Sequence, residues 1–339
     1  MEISKNKKVY IGVGIALLAL VVLCVSLLNS GSYIAKVGNQ TISEDNYKYA
    51  LLIEKEKVLS NYSGMDENDV WEYKAEGKNK TYAKQLDQYV LDELVRTEVI
   101  NNQFDVLGLK LTDEQNKRRK DNVQSYIKNR YKTTEKADKE FKSYYTSSKD
   151  FEKLYEDYDK YESVYLHYYD IGGEKGTTLE NIDDFYQKNY ALVKNIFISK
   201  EKGEEIAKGV LSECQNLENE EEFINLLNEY NEDANMSNYT NGYLISKDYT
   251  AVAGYSDKAL SMNVGEVDML QAENGYYILR KYDAKDDKVY TISQKSKVLL
   301  SMFAEDFEKM VSTWKNALEI DYNQKSLDKI SIAKIQKNK

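Results

Sequence analysis

The 339 residues carry 57 acidic against 47 basic side chains without a concentrated basic patch. That balance argues against nucleic acid as a partner, because phosphate recognition needs clustered Lys and Arg. A hydrophobic share of 42% argues against global disorder, and the length allows two or three domains.

Proline is absent, where an average chain of this length would carry about 17 at the usual ~5%. The abundance of Lys, Asn, Tyr and Ile points to compositional bias as the cause. Folding of this chain therefore cannot wait on a slow X-Pro isomerisation.

Val9–Leu28 is an uncharged stretch of about 20 residues, which at 1.5 Å per residue spans roughly 30 Å, the thickness of a bilayer's hydrocarbon core. Lys5, Lys7 and Lys8 precede it. The positive-inside rule then puts residues 1–8 in the cytoplasm, makes 9–28 a single-pass anchor in the cell membrane, and leaves the bulk extracytoplasmic. Two alternatives stay open: cleavage of a signal peptide near Ser30 and Ser32, and lipidation at Cys24, before which Leu23 is a poor residue. Cys214 falls on an Ile206/Val210/Cys214/Leu217 stripe and reads as a buried small hydrophobe. With only these two cysteines, an intrachain disulfide framework is not expected.

Tyr33–Ser43 reads as two short strands around Gly38-Asn39, with Ser43 capping a helix from about Glu44 to Leu59. Leu86, Tyr89, Val90, Leu94, Val99 and Ile100 lie at helical spacing within residues 82–107. Gly108 ends that helix, and Thr112 with Gln115 forms a capping-box pattern for the next. Tyr144–Tyr169 is rich in tyrosine, with Leu154, Tyr158, Tyr161 and Tyr165 at helical spacing. It suits either a helix–helix interface or an adaptable surface for unfolded chains. His167, the single histidine, reads as a helix-face residue, since one histidine cannot build a histidine-rich metal site.

Gly172–Gly176 breaks the pattern before a short helix at Leu179–Asn189. Val193–Ile198 predicts a central strand, followed by helices at about 201–217 and 221–230. Residues 241–282 predict a strand, an amphipathic turn of helix, and a hairpin whose tight turn is Asn274-Gly275. The order β-α-β-α-β-β suits a small antiparallel sheet covered by helices. Leu299, Phe303, Phe307, Met310, Trp314 and Leu318 then predict one long amphipathic helix over Val298–Leu318. Residues 319–339 are polar and lysine-rich and predict a tail mobile at its end.

Val37-Gly38-Asn39, Leu91–Ile100, Gly108–Glu114 and Ser148-Lys149-Asp150-Phe151-Glu152 follow the order seen in the SurA/PrsA/PpiD foldases, and this part of the chain resembles their N-terminal chaperone domain. Gly242, Leu244, Tyr255, Gly265-Glu266 and Gly275-Tyr276-Tyr277-Ile278 resemble the second half of a parvulin-type peptidyl-prolyl isomerase domain. With the span at Val9–Leu28, the resemblance implies an α+β fold class with an N-terminal transmembrane helix. It implies a mainly helical chaperone domain at 33–185, a parvulin-like domain at 190–284, a C-terminal helix at 288–323 packing on the chaperone domain, and a polar tail at 324–339.

Rotating an X-Pro amide faces a barrier of ~18–20 kcal/mol, and a catalyst must bind the twisted amide better than the planar one. Parvulins are expected to do so with two histidines, a cysteine or aspartate between them, and a small apolar proline pocket. Carried onto this chain, the first-strand histidine becomes Asn195 and the last-strand histidine becomes Tyr277. The acidic or thiol position falls near Asp233. The pocket phenylalanine becomes Tyr255, the pocket methionine falls at Ala251, and Leu244 lies on the adjoining strand.

Asn195, Asp233 and Tyr277 can still form a hydrogen-bonded cluster, or they are scaffold and surface residues. No Walker loop, dinucleotide fingerprint or nucleophile motif competes, and no cofactor is expected. The resemblance implies a membrane-anchored extracytoplasmic foldase that holds unfolded, newly translocated polypeptides and has a degenerate isomerase domain. An active isomerase with an altered site, and an adaptor for one dedicated partner, are the alternatives.

Overall fold

The computed structural model describes residues 32–338 apart from 76, 78, 218, 287 and 288. The chain divides into two compact units, one running to Tyr168 and resuming at Glu305–Lys339, the other Tyr169–Ala304.

The first unit opens with β1 (Tyr33–Val37) and β2 (Gln40–Ser43), an antiparallel hairpin in which Val37 faces Gln40. Gly38 turns the chain at φ +55°, a conformation costly for any residue with a Cβ. Ser43 caps α1 (Glu44–Asn61) by accepting from the Asn46 amide, while Asn46 answers to the Ser43 amide. After α2 (Glu67–Glu72) comes α3 (Tyr82–Val106), which buries Leu86, Val90, Leu94, Val95, Val99 and Ile100 as the centre of this unit's core. Thr112 and Gln115 form the expected capping box at the start of α4 (Asp113–Arg130). Then follow α5 (Thr134–Ser143) and the tyrosine-rich α6 (Ser148–Tyr169).

The second unit begins with α7 (Leu179–Asn189) and the central strand β3 (Tyr190–Ser199). Two helices, α8 (Glu204–Gln215) and α9 (Glu220–Tyr230), precede β4 (Tyr243–Ser246). After α10 (Tyr255–Ser261) the hairpin β5 (Val267–Gln271) and β6 (Gly275–Tyr282) closes the sheet. The four strands are antiparallel in the order β4-β3-β6-β5. One face packs Ile196, Ile198 and Ile278 against Ala207, Val210, Cys214 and Phe223 of α8 and α9. Burial pushes the Cys214 thiol up to about 11, so it behaves as the expected small hydrophobe.

The β5–β6 turn differs from expectation. Its tip is Glu273-Asn274, closed by the Ala272 amide donating to the Gly275 carbonyl at 2.8 Å. Gly275 already belongs to β6, and its reason is close approach: a Cβ there would stand 2.3 Å from the Ile198 carbonyl oxygen.

The long helix expected over Val298–Leu318 is two helices, α11 (Ile292–Met302) and α12 (Ala304–Ala317). Phe303 leaves helical geometry at φ −116°, ψ 19° and stacks on Tyr169 with ring centroids 4.7 Å apart. A stripe at i+3/i+4 spacing carries no mark of such a break, because the apolar register continues across it. In the second unit α11 packs on α7 with Val298 and Leu299 buried, whereas α12 sets Phe307 into the first unit's core.

The expected mobile tail is docked. Strand β7 (Ile320–Tyr322) pairs antiparallel with β1, α13 (Gln324–Leu327) follows, and Ile332 and Ile335 are buried.

The fold class is corrected in one respect. It is α+β with small antiparallel sheets, but among the described residues no helix is long and apolar enough to cross a membrane. Even the 25-residue α3 carries Lys84, Asp87, Asp92, Glu93, Arg96 and Glu98 along its length. The span expected at Val9–Leu28 lies outside the described residues.

Candidate functional site

Successive strand residues point to opposite faces, so the second face of the four-stranded sheet collects Val193, Asn195 and Phe197 from β3 with Tyr277 and Leu279 from β6. Tyr243 and Ile245 of β4 lie on this face, and α10 covers it with Tyr255 and Ala259.

Asn195 is 1% exposed. Its Oδ1 accepts from the Tyr255 hydroxyl at 2.7 Å, and its Nδ2 lies 3.5 Å from Asp233 Oδ2. Asp233 Oδ2 also accepts from the Tyr243 hydroxyl at 2.9 Å, while its Oδ1 accepts from the Asn235 amide at 3.0 Å. The result is a chain Tyr255–Asn195–Asp233–Tyr243 whose polar atoms answer one another. Burial drives the Tyr255 hydroxyl well above the usual phenol range. Tyr243 rises through burial first and then through its bond to Asp233, whose charge disfavours a second anion.

Tyr277 stands apart from this chain. Its hydroxyl accepts from Asn274 Nδ2 at 2.9 Å, and its ring meets Tyr255 edge-on with centroids 5.5 Å apart. Phe197 packs on Tyr277 at 4.7 Å, Tyr249 on Tyr255 at 5.6 Å, and Tyr239 on Tyr243 at 4.7 Å. Phe197, Tyr243 and Tyr249 are half-buried and Tyr239 is exposed, so the ring cluster presents an aromatic rim to solvent.

Asn195, Asp233 and Tyr255 thus form one cluster with Tyr277 beside them. Leu244 and Ala251 do not join it. Leu244 alternates to the opposite face of β4, opposite Leu192, and Ala251 is an exposed loop residue. Tyr243 and Tyr249 pack in the cluster. Strand alternation reckoned from Asn195 would have chosen Tyr243 over its neighbour Leu244.

The helical unit offers a different surface. Tyr49 of α1, Arg118, Arg119 and Asn122 of α4, and Phe151, Leu154, Tyr155, Tyr158, Asp159 and Glu162 of α6 line a hollow of about 500 Å³. Its arginines are neutralised within the wall: Arg118 pairs with Asp159 at 2.9 Å and Glu162 at 3.2 Å, and Arg119 with Asp159 at 3.4 Å. That leaves the aromatic rings as the accessible chemistry. His167, also on α6, meets Tyr168 edge-on and lines neither surface. Among the described residues no group of His, Cys, Asp or Glu is placed to hold a metal ion.

Residues 1–142 match the family described as the SurA-like N-terminal domain. The chain carries a SurA-like N-terminal domain. The match takes in β1, β2 and the helices through most of α5, and it stops short of the four-stranded unit. No curated protein matches the chain. Among solved structures it is similar to the foldase protein PrsA of Streptococcus pneumoniae, at 17% identity over 76% of this chain and 92% of that one, with a TM-score of 0.34. PrsA of Bacillus anthracis, described as a peptidylprolyl isomerase, is 18% identical over 74% of this chain and 99% of that one, with a TM-score of 0.30. A Campylobacter jejuni structure described under two SurA-like chaperones, PEB4 and Cj1289, is 15% identical over 86% and 100%, with a TM-score of 0.24.

Proposed function

We propose that this protein holds unfolded polypeptides and keeps them from aggregating, and that its four-stranded unit lacks prolyl isomerase activity. The SurA-like match over residues 1–142 carries the first part. It is supported by the aromatic hollow between α1, α4 and α6, where Tyr155, Tyr158, Phe151 and Leu154 offer apolar area whose neighbouring charges are already paired.

The closed chain Tyr255–Asn195–Asp233–Tyr243 supports the second part. Isomerisation needs polar groups that meet the amide only as it twists. Here the buried tyrosine donates to a buried asparagine, and the nearest carboxylate is occupied by a second tyrosine. The aromatic rim of Phe197, Tyr239, Tyr243 and Tyr249 then serves as a weak contact surface for apolar side chains.

We further propose that this work on unfolded chains takes place outside the cytoplasm, where translocated polypeptides emerge. Sensitivity of the protein to protease added to intact cells tests that placement, and full protection contradicts it.

Light scattering of a chemically unfolded protein diluted into buffer tests the holding activity. The full chain lowers the scattering at near-stoichiometric ratios, and Tyr158→Asp, at an exposed position on the hollow's rim, weakens the effect. Scattering unchanged by the full chain contradicts the proposal. A single partner bound in fixed ratio, with scattering unaffected, would instead favour a dedicated adaptor.

A further inference from the structure

The C-terminal segment crosses the first unit like a bound peptide. The Ile332 amide donates to Asp87 Oδ1 at 2.6 Å, and Lys55 Nζ donates to the Ile335 carbonyl at 3.1 Å. The Tyr145 hydroxyl donates to the Gln336 carbonyl at 3.1 Å, and the Asn338 amide donates to the Ser143 carbonyl at 2.7 Å. Each of these contacts addresses main-chain atoms of the tail, so the receiving surface would accept other sequences in the same path.

Side chains add selectivity at three points. A single turn, in which the Ile335 amide donates to the Ser331 carbonyl at 2.9 Å, sets Ile332 and Ile335 on one side. They are 0% and 8% exposed. Lys337 then pairs with Glu56 at 2.9 Å and lies 4.1 Å above the Tyr144 ring. The last fifteen residues hold five lysines against one aspartate, and the Lys337–Glu56 pair is where the seat answers that charge.

The seat is incompletely filled. A hollow of about 400 Å³ runs beside the tail, bounded by Tyr47, Asp87 and Leu91 on the helices and by Leu327 and Ile330 on the tail. A segment held at a few points opens more readily than one packed along its whole length.

We propose that residues 328–338 occupy a polypeptide-binding groove in cis. The groove's other occupant is a client segment that takes the same single turn, with two branched aliphatic side chains three residues apart and a cation two residues later. This rests on the reading that the protein holds unfolded polypeptides, and it adds both a second seat and a self-occupied resting state.

The test uses a fluorescent peptide with the sequence of residues 328–339 and the full chain, wild type and Ile332→Asn/Ile335→Asn, followed by fluorescence anisotropy. The wild type binds weakly because its own tail competes, and the loosened variant binds roughly tenfold or more tightly. A peptide carrying Lys337→Glu loses most of that affinity. A variant that melts cooperatively like the wild type but binds the peptide no better overturns the proposal. Should the variant not fold, hydrogen exchange of the wild type decides. Excess peptide speeds exchange at the Ile332 and Ile335 amides if the groove is shared, and unchanged rates overturn it. Dimers with exchanged tails would make the occupant a second copy and overturn the client assignment. Peptide binding without suppression of aggregation upholds the groove and removes the holding function. Suppression without peptide binding does the reverse.

Discussion

The Tyr255 hydroxyl donates to Asn195 Oδ1 at 2.7 Å across the interior of the second unit, joining α10 to the central strand β3. Both residues are almost fully buried, so neither atom can turn to water if its partner is lost. Tyr255→Phe keeps the ring contacts with Tyr249 and Tyr277 but strands a buried acceptor. The expected loss of stability is about 1–3 kcal/mol. Denaturant unfolding of the full chain measures it. Asn195→Leu, which removes the acceptor as well, should restore part of the loss in the Tyr255→Phe background.

Gly275→Ala tests a steric claim. The added methyl would meet the Ile198 carbonyl oxygen and the Phe197 ring edge at 2.3 and 2.7 Å. Strand β6 would have to move off β3, at a cost of about 1–3 kcal/mol or more. A shift in the thermal unfolding midpoint of the full chain reports it, and a midpoint equal to the wild type's contradicts the close approach.

Phe307 anchors α12 in the first unit. It is 0% exposed, with ring centroids 5.4 Å from Tyr161, 5.1 Å from Tyr165 and 5.8 Å from Trp314. Phe307→Ala is expected to cost about 3–5 kcal/mol. Urea unfolding followed by Trp fluorescence suits the measurement, since Trp314 reports from the same cluster.

Asp87 supplies a pH dependence. Burial pushes its carboxyl up to about 6, partly opposed by the bond from the Ile332 amide. The folded state therefore holds this proton at a higher pH than the unfolded chain does. The stability it contributes is fully present below about pH 4 and is lost as pH rises through about 6. Asp87→Asn keeps an oxygen for the Ile332 amide and removes the buried charge. The variant should be more stable than wild type at pH 7, with the difference vanishing near pH 4. Unfolding midpoints of the two proteins across that range check it.

Local chemistry was the legible part of this chain. Ser43 with α1 and Thr112 with Gln115 mark helix starts because a cap is decided within four residues. The strand at β3 and the amphipathic faces of α3 and α12 were visible for the same reason, since periodicity is a short-range signal. The break at Phe303 was not, because the apolar spacing runs through it and the Tyr169 ring that receives Phe303 lies far away in sequence.

The tail failed for a related reason. Its lysines suggest solvent, while the pairing of β7 with β1 and the seat for Ile332 come from residues more than 240 positions earlier. In the site, Asn195, Asp233 and Tyr255 could be placed by position along the chain. Leu244, one position from Tyr243, lies on the other face of β4, because a step of one residue along a strand changes face.

Holding without isomerisation can be read in one measurement: refolding of an aggregation-prone protein whose slow phase waits on an X-Pro bond, with and without the full chain. The expected result is a higher yield of refolded protein and an unchanged slow-phase rate constant. A slow phase accelerated in proportion to added chain, or a yield no higher than that of the client alone, would contradict it.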